Sequence, residues 1–427
     1  MTGFHHLMPD ELADLASGVH RPATLRTLRA AQLSRHLLLL RHLAATAADH
    51  EALAVIDAAR VHDPESAAAL LAEPMVGAGL TQAIRRSGTR ASRSNPALLA
   101  ALAAALAART GLDIDIKIQV HNDLIMIPTV GMLTGMGTAG QTVELRIRDS
   151  RLSVADSAGT AAASDDSGVR NSRWLGLRQI TWGDKPGTTL GIDDIDPCRD
   201  IFQNQPTDRL SNETFTDWQT MFADAGQLLA RHATDWMAEA SAVLRTVVPL
   251  RIIDSHISQS VTARHAFGAV AMTMPPSPSD LAVSIVHEVQ HSKVNALLQL
   301  ESMFDPDDRG RYFAPWRGDA RPIWGLFHGV YAFLAVADVL NRMRAEPVEE
   351  RAAEKEFAAI RLQLRSGLDS LAQAPSLTES GRLFVAAMQK RFSTLEAVEV
   401  SPGTLRSATQ AFDSVRAEWH KRNGRAN

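Results

Sequence analysis

The stretch that most constrains how this chain can fold runs from Ser277 to Phe304, where Ser-Pro-Ser-Asp-Leu-Ala-Val-Ser-Ile-Val-His-Glu-Val-Gln-His opens a predicted helix. Ser277 suits the N-cap, Pro278 the first helical position, and Asp280 the closing member of a capping box. Leu281, Ile285, Val286, Val289, Leu297 and Leu298 supply apolar packing, and Asp305-Pro306 predicts a stop at Phe304. His287 and His291 lie four residues apart, so they leave the helix on one face, one turn apart, with Glu288 between them in an H-E-x-x-H pattern. Apolar neighbours imply a largely buried helix, where unpaired imidazoles are costly. A shared metal ion would satisfy them; two histidines satisfied by the core are the plainer alternative.

The rest of the chain has to build around that helix. Its 427 residues suffice for a large core and several domains, and 45% hydrophobic with 22% charged residues is the balance of a globular protein. A net charge of -4, from 48 acidic and 44 basic residues, gives no reason to expect a nucleic-acid partner. Cys198 is the single cysteine, which excludes an intramolecular disulfide and a multi-cysteine zinc site and makes a reducing, cytoplasmic location the expectation. The N-terminus lacks the pattern of a signal peptide, and no uninterrupted apolar run is long enough to predict a membrane span.

The pattern predicts an α+β chain, mainly helical, with a central and mostly antiparallel sheet. Residues 1–110 are rich in Ala, Leu and Arg and read as helical. Residues 111–206 turn to period two, with strict alternation over 113–120 and 143–148, so a sheet with one wet face is expected there. The Ser-, Ala-, Asp- and Gly-rich segment 155–171 reads as a mobile loop, and the carboxylates Asp193, Asp194, Asp196 and Asp200 as turn residues, since their spacing is not that of a calcium loop. Residues 207–345 form the expected metal-binding core: a helix over 212–244, strand-like sequence over 247–274, the histidine helix and a further helix over 323–344. Residues 346–427 read as three scaffold helices. The run from His265 to Met274 is expected to be an edge strand beside the histidine helix, where Phe267, Gly268 and Ala269 would meet an extended peptide through main-chain hydrogen bonds.

Two histidines make a weak metal site, so a third ligand is needed. A nearby Gly and His would serve, but those positions hold Val294 and Leu297; a later helical Glu would serve, but none occurs between Ser302 and Ala345, leaving only a distant Glu346. The next helix offers His328, within Gly-Leu-Phe-His-Gly-Val-Tyr. Asp319 is the second candidate, giving two imidazoles and a carboxylate, an arrangement associated with non-haem iron.

Taken together, Arg29-Ala-Ala-Gln-Leu, Phe267-Gly-Ala-Val, Val286-His-Glu-Val-Gln-His-Ser-Lys, Ala314-Pro-Trp-Arg-Gly-Asp-Ala-Arg-Pro and Leu326-Phe-His-Gly-Val-Tyr-Ala-Phe resemble the HExxH-motif proteins of ribosomal peptide modification systems. The resemblance spans most of the chain and is tightest from Phe267 to Phe333; Ala320 departs from it, where a proline is expected. It implies an iron(II)- and 2-oxoglutarate-dependent dioxygenase that hydroxylates the β-carbon of Asp or His in a ribosomally synthesised precursor peptide, with a zincin-like helix packed beside an edge strand. On that reading His287, His291 and His328 hold iron(II), and Arg317 or Arg321 forks onto the distal carboxylate of 2-oxoglutarate. Trp316 and Tyr331 join Phe267, Gly268 and Ala269 as substrate contacts, and Glu288 orients a ligand or water. Residue chemistry alone points instead to a zinc peptidase with the same three ligands and Glu288 as general base.

Overall fold

The Ala-, Leu- and Arg-rich opening folds as predicted into successive helices in a computed structural model, which describes residues 5–18, 21–46, 49–87, 96–155, 161–163, 173–183, 188–254, 258–346 and 348–424. These are α1 (Pro9–Ser17), α2 (Pro22–Thr46), α3 (His50–His62), α4 (Pro64–Leu71), α5 (Pro74–Ser87) and α6 (Pro96–Thr110). Asp49 and Asp63 cap α3 and α4 by accepting the backbone N–H of Ala52 and Ser66. Helix α6 is almost entirely Ala and Leu and is buried along residues 99–107. A helix apolar all round must be covered on all sides. α3 packs against it, as do β1 (Ile114–Gln119), β2 (Leu124–Ile127) and β4 (Thr142–Arg148).

One sheet was expected; three small ones form among the described residues. In the first, β1 pairs antiparallel with β4, then come β5 (Arg151–Ala155) and β6 (Ala161–Ala163). Ile116 and Ile118 of β1 and Leu145 and Ile147 of β4 face the helices, while Asp115, Lys117, Arg146 and Arg148 face solvent. The wet face follows from that alternation. Most of the loop expected over 155–171 lies outside the described residues, and within it Ala161–Ala163 is strand. In the second sheet β3 (Gly131–Thr134) lies between β2 and β7 (Trp174–Gly176).

The third sheet has five strands in the order β11 (Ser260–Thr262), β12 (Ala269–Met272), β10 (Thr246–Pro249), β9 (Thr189–Ile192), β8 (Arg178–Thr181). β12, β10 and β9 run parallel, with β8 and β11 antiparallel at the two margins. Thus the 265–274 run is not an edge: β12 is interior and buried along its length, as parallel strands covered on both faces are. The margin belongs to Ser-Val-Thr, too short and too polar to stand out in the sequence.

The expected helix over 212–244 is two, α7 (Asn212–His232) and α8 (Thr234–Val243), broken at a non-helical Ala233. Next come α9 (Pro278–Leu300), α10 (Ile323–Met343), α11 (Glu350–Ala372), α12 (Glu379–Glu396) and α13 (Pro402–Asn423). Ser277 caps α9, accepting the Asp280 N–H at 3.1 Å and donating its hydroxyl to the Asp280 carboxylate at 2.6 Å. α9 ends four residues before Phe304 because residues 302–304 run extended against the start of α12, where Thr378 binds the carbonyls of Ser302 and Met303. α10 is long and apolar enough to cross a membrane by length and composition, but it is largely buried among α9, α11 and α12.

The cores cut across the four predicted regions. α2 to α6 share one core with β1 to β5, joining residues placed on either side of position 110. β8 and β9 share the other with β10, β12 and α7 to α12, so the boundaries at 206 and 345 also fall within one packed unit. A small cluster that includes Met75, Phe202, Val248 and Ala271 lies beneath the five-stranded sheet.

Gly268 locks β12 to its surroundings. Its φ is +88°, a Cβ there would stand 2.5 Å from the Val243 carbonyl oxygen, and its N–H donates to Ser292 Oγ at 2.9 Å. Gly268→Ala is therefore expected to destabilise the fold by ~2 kcal/mol or more in urea denaturation; a variant as stable as the parent would show that the turn has no such constraint.

Candidate functional site

α9 and α10 lie side by side and bring the three predicted histidines together. His287 Nε2 stands 3.0 Å from His291 Nε2, and His291 Nδ1 stands 3.4 Å from His328 Nδ1. Their rings form a row with centroid separations of 4.5 and 5.5 Å, closed at one end by Phe333 at 4.9 Å from His287. Burial pushes all three imidazoles down, to about 4 for His287, about 4 for His291 and about 3 for His328. Neighbouring charge adds to this, from His291 at His287, and from His291, Arg264 and Arg321 at His328. Near neutral pH the three rings are uncharged, the form in which an imidazole nitrogen can ligate a metal or accept a hydrogen bond from its neighbour.

The donor chemistry therefore fits a divalent ion. Two nitrogens at ~2.1 Å from one ion stand roughly 3.0 to 3.4 Å apart, which is the spacing of the His287 and His291 pair. His328, however, meets the other nitrogen of His291, so the rings touch in sequence rather than around one point. Among the described residues no three His, Cys, Asp or Glu side chains gather their donors as a metal cage. A common ion requires a change of side-chain rotamer in this row.

The histidines open into a cavity of about 940 Å³ that is also lined by Glu288, Arg264, Trp316, Arg317, Arg321 and Trp324. Glu288 is 2% exposed. Its two oxygens are taken by β11: Ser260 Oγ donates to Oε1 at 2.7 Å, and Thr262 Oγ1 donates to Oε2. Asp319, the second candidate for third ligand, is on a different errand. It accepts from Arg317 Nε at 2.9 Å and Arg321 Nη1 at 3.1 Å. Slight burial opposes its ionisation, but these bonds hold its carboxyl below the usual range. Glu346 is likewise committed elsewhere, to His232 and Arg231.

Of the expected substrate contacts, Trp316 lines the cavity, packed over Phe333 and the open side of Gly329. The others do not. Phe267, Gly268 and Ala269 are buried around the turn into β12, and Tyr331 is 1% exposed with its hydroxyl on the Leu15 carbonyl at 3.0 Å. Both placements follow from packing: β12 is interior, and Tyr331 leaves α10 on the face toward α12. Arg264, Ser260 and Thr262 were missed in the sequence. Their only signal was position, just ahead of the apolar run that suggested a strand.

On the flank of α9 away from β11 lies a buried polar cluster. Lys293 Nζ donates to Glu239 Oε2 at 2.8 Å and Gln290 Oε1 at 3.0 Å, and Gln290 Nε2 donates to Glu239 Oε1 at 2.7 Å. Burial pulls the Lys293 ammonium down, but Glu239 and Tyr331 outweigh it and hold it above its ordinary value. The acidic turn does ordinary structural work, with Asp194 paired to Arg178 and Arg209 and Asp196 capping a short 3-10 helix.

No known protein-family model matches this chain, and no curated protein matches it.

Because folding lowers these imidazole pKa values below their unfolded ~6.5, the unfolded chain binds more protons between pH 4 and 6.5. The metal-free protein should thus hold this contribution in full above pH 6.5 and lose it as pH falls toward 4. Urea denaturation at pH 7 and pH 5 should show lower stability at pH 5. Imidazole NMR should show His287, His291 and His328 still neutral at pH 5; protonation with midpoints near 6.5 would contradict it.

Proposed function

We propose that this chain is an iron(II)- and 2-oxoglutarate-dependent oxygenase that hydroxylates the β-carbon of an Asp or His residue in a ribosomally synthesised precursor peptide. The observation that carries this reading is a contrast within one cavity: the Glu288 carboxylate is occupied by two hydroxyls of β11, while three guanidiniums line the walls around the histidines. A peptidase needs that carboxylate free to take a proton from water. An oxygenase needs a cation for the far end of a dicarboxylate.

His287, His291 and His328 would hold the ion. With the keto-acid and oxygen, it would supply an oxidant able to take hydrogen from an unactivated carbon. Arg321 is the better placed of the two predicted arginines for the distal carboxylate, since its side chain is 26% exposed against 54% for Arg317 and it bears electrostatically on His328. Asp319 fixes the orientation of both. Trp316 and Phe333 form an apolar wall that keeps water from the histidines on that side. The helix-beside-edge arrangement is zincin-like, and the edge assigned to the peptide is β11, with Arg264 just beyond it. Glu288 is a positioning residue, holding β11 against α9.

The test is incubation with iron(II), 2-oxoglutarate, oxygen and a candidate precursor peptide, read by succinate release and by a mass gain of one oxygen on the peptide. Arg321→Gln is expected to raise the KM for 2-oxoglutarate roughly 10- to 100-fold. Glu288→Gln should keep measurable succinate formation, whereas a zinc peptidase would lose about 10²- to 10⁴-fold on removal of its general base. Peptide cleavage independent of oxygen and keto-acid, abolished by Glu288→Gln, would replace this reading with the peptidase.

A further inference from the structure

On a helix of 3.6 residues per turn, Glu288 and Ser292 fall about 100° to one side of the His287 and His291 stripe, and Gln290 and Lys293 about as far to the other. Each flank is anchored by polar contacts to a different element. On one, Glu288 takes the hydroxyls of Ser260 and Thr262, and Ser292 takes the N–H of Gly268. On the other, Gln290, Lys293 and the α8 residue Glu239 close a ring of three hydrogen bonds of 2.7, 2.8 and 3.0 Å, with each residue no more than 2% exposed. Close apolar packing already resists rotation of a helix about its axis, and directional bonds on both flanks narrow the permitted angle further.

We propose that the Glu239, Gln290 and Lys293 ring is a positioning device that sets the rotation of α9, and through it the placing of the His287 and His291 imidazoles against His328. A buried ion pair is a poor source of stability, since apolar residues of similar volume often serve as well or better. What such a pair supplies is a fixed angle: Glu239 offers one oxygen to each of two side chains a turn apart, and only one rotation of α9 satisfies both. The placing of the rings is a property of the chain itself, whatever ion they hold; only the cobalt arm of the test rests on the metal reading.

The test replaces all three members by apolar residues of similar size, Glu239→Leu with Gln290→Leu and Lys293→Met, so that no member of the ring is left without its partners. Two readouts follow: the imidazole ¹⁵N resonances of the metal-free protein, and the affinity and visible spectrum of added cobalt(II). A melting temperature within about 5 °C of the parent is expected, with shifted resonances for His287, His291 and His328 and cobalt(II) binding weakened at least tenfold. Gln290→Leu alone, which keeps the ion pair, is expected to shift the same resonances by less, and it decides the matter if the triple variant does not fold. Unchanged resonances and cobalt(II) affinity alongside a fall in melting temperature would overturn the proposal and make the ring purely structural. A parent protein that binds no cobalt(II) sinks the metal reading, and the resonances of the metal-free variants still decide this one.

Discussion

The site depends on desolvation. Three imidazoles from α9 and α10 are packed between two apolar helices, an aromatic wall and a sheet margin, and burial is the largest influence on each of them. Protonated rings with nitrogens 3.0 and 3.4 Å apart would repel one another, so close approach and burial both favour the neutral form. As neutral rings they can bond to one another, one nitrogen of each facing pair donating its N–H to the lone pair of the other.

The elements around the row show what local sequence can and cannot reveal. The cap of α9, its buried face, the extent of α10 and the three C-terminal helices were legible, because capping residues, prolines and helical period are local signals. The wet face of β1 and β4 was legible for the same reason. The sheet margin was not. The apolar run through β12 was visible, but whether a strand is interior or marginal is decided by what pairs with its far side, and that is three residues of Ser-Val-Thr. The extent of the cores was not legible either, since α6 shares its core with strands that follow it and β8 and β9 share theirs with strands some sixty residues on.

Within the site, residue types were legible and their commitments were not. The histidines could be gathered by elimination from the spacing of other candidates. That Asp319 answers to two arginines, and Glu288 to two hydroxyls, emerges only once the loop before α10 and the strand before β12 are folded against α9. Tyr331 shows the reverse case: an aromatic close in sequence to His328 turns to the far face of α10 and reaches the Leu15 carbonyl near the chain's start.

The brevity of β11 carries a consequence of its own. Main-chain donors and acceptors on a strand alternate between its two sides, so a three-residue margin already paired to β12 has at most about two residues' worth of groups to offer outward. An extended polypeptide laid there would be aligned by it but scarcely retained. Retention would fall to the guanidiniums and indoles beyond the strand's ends, leaving the backbone ladder to choose direction and register and the side chains to choose the guest.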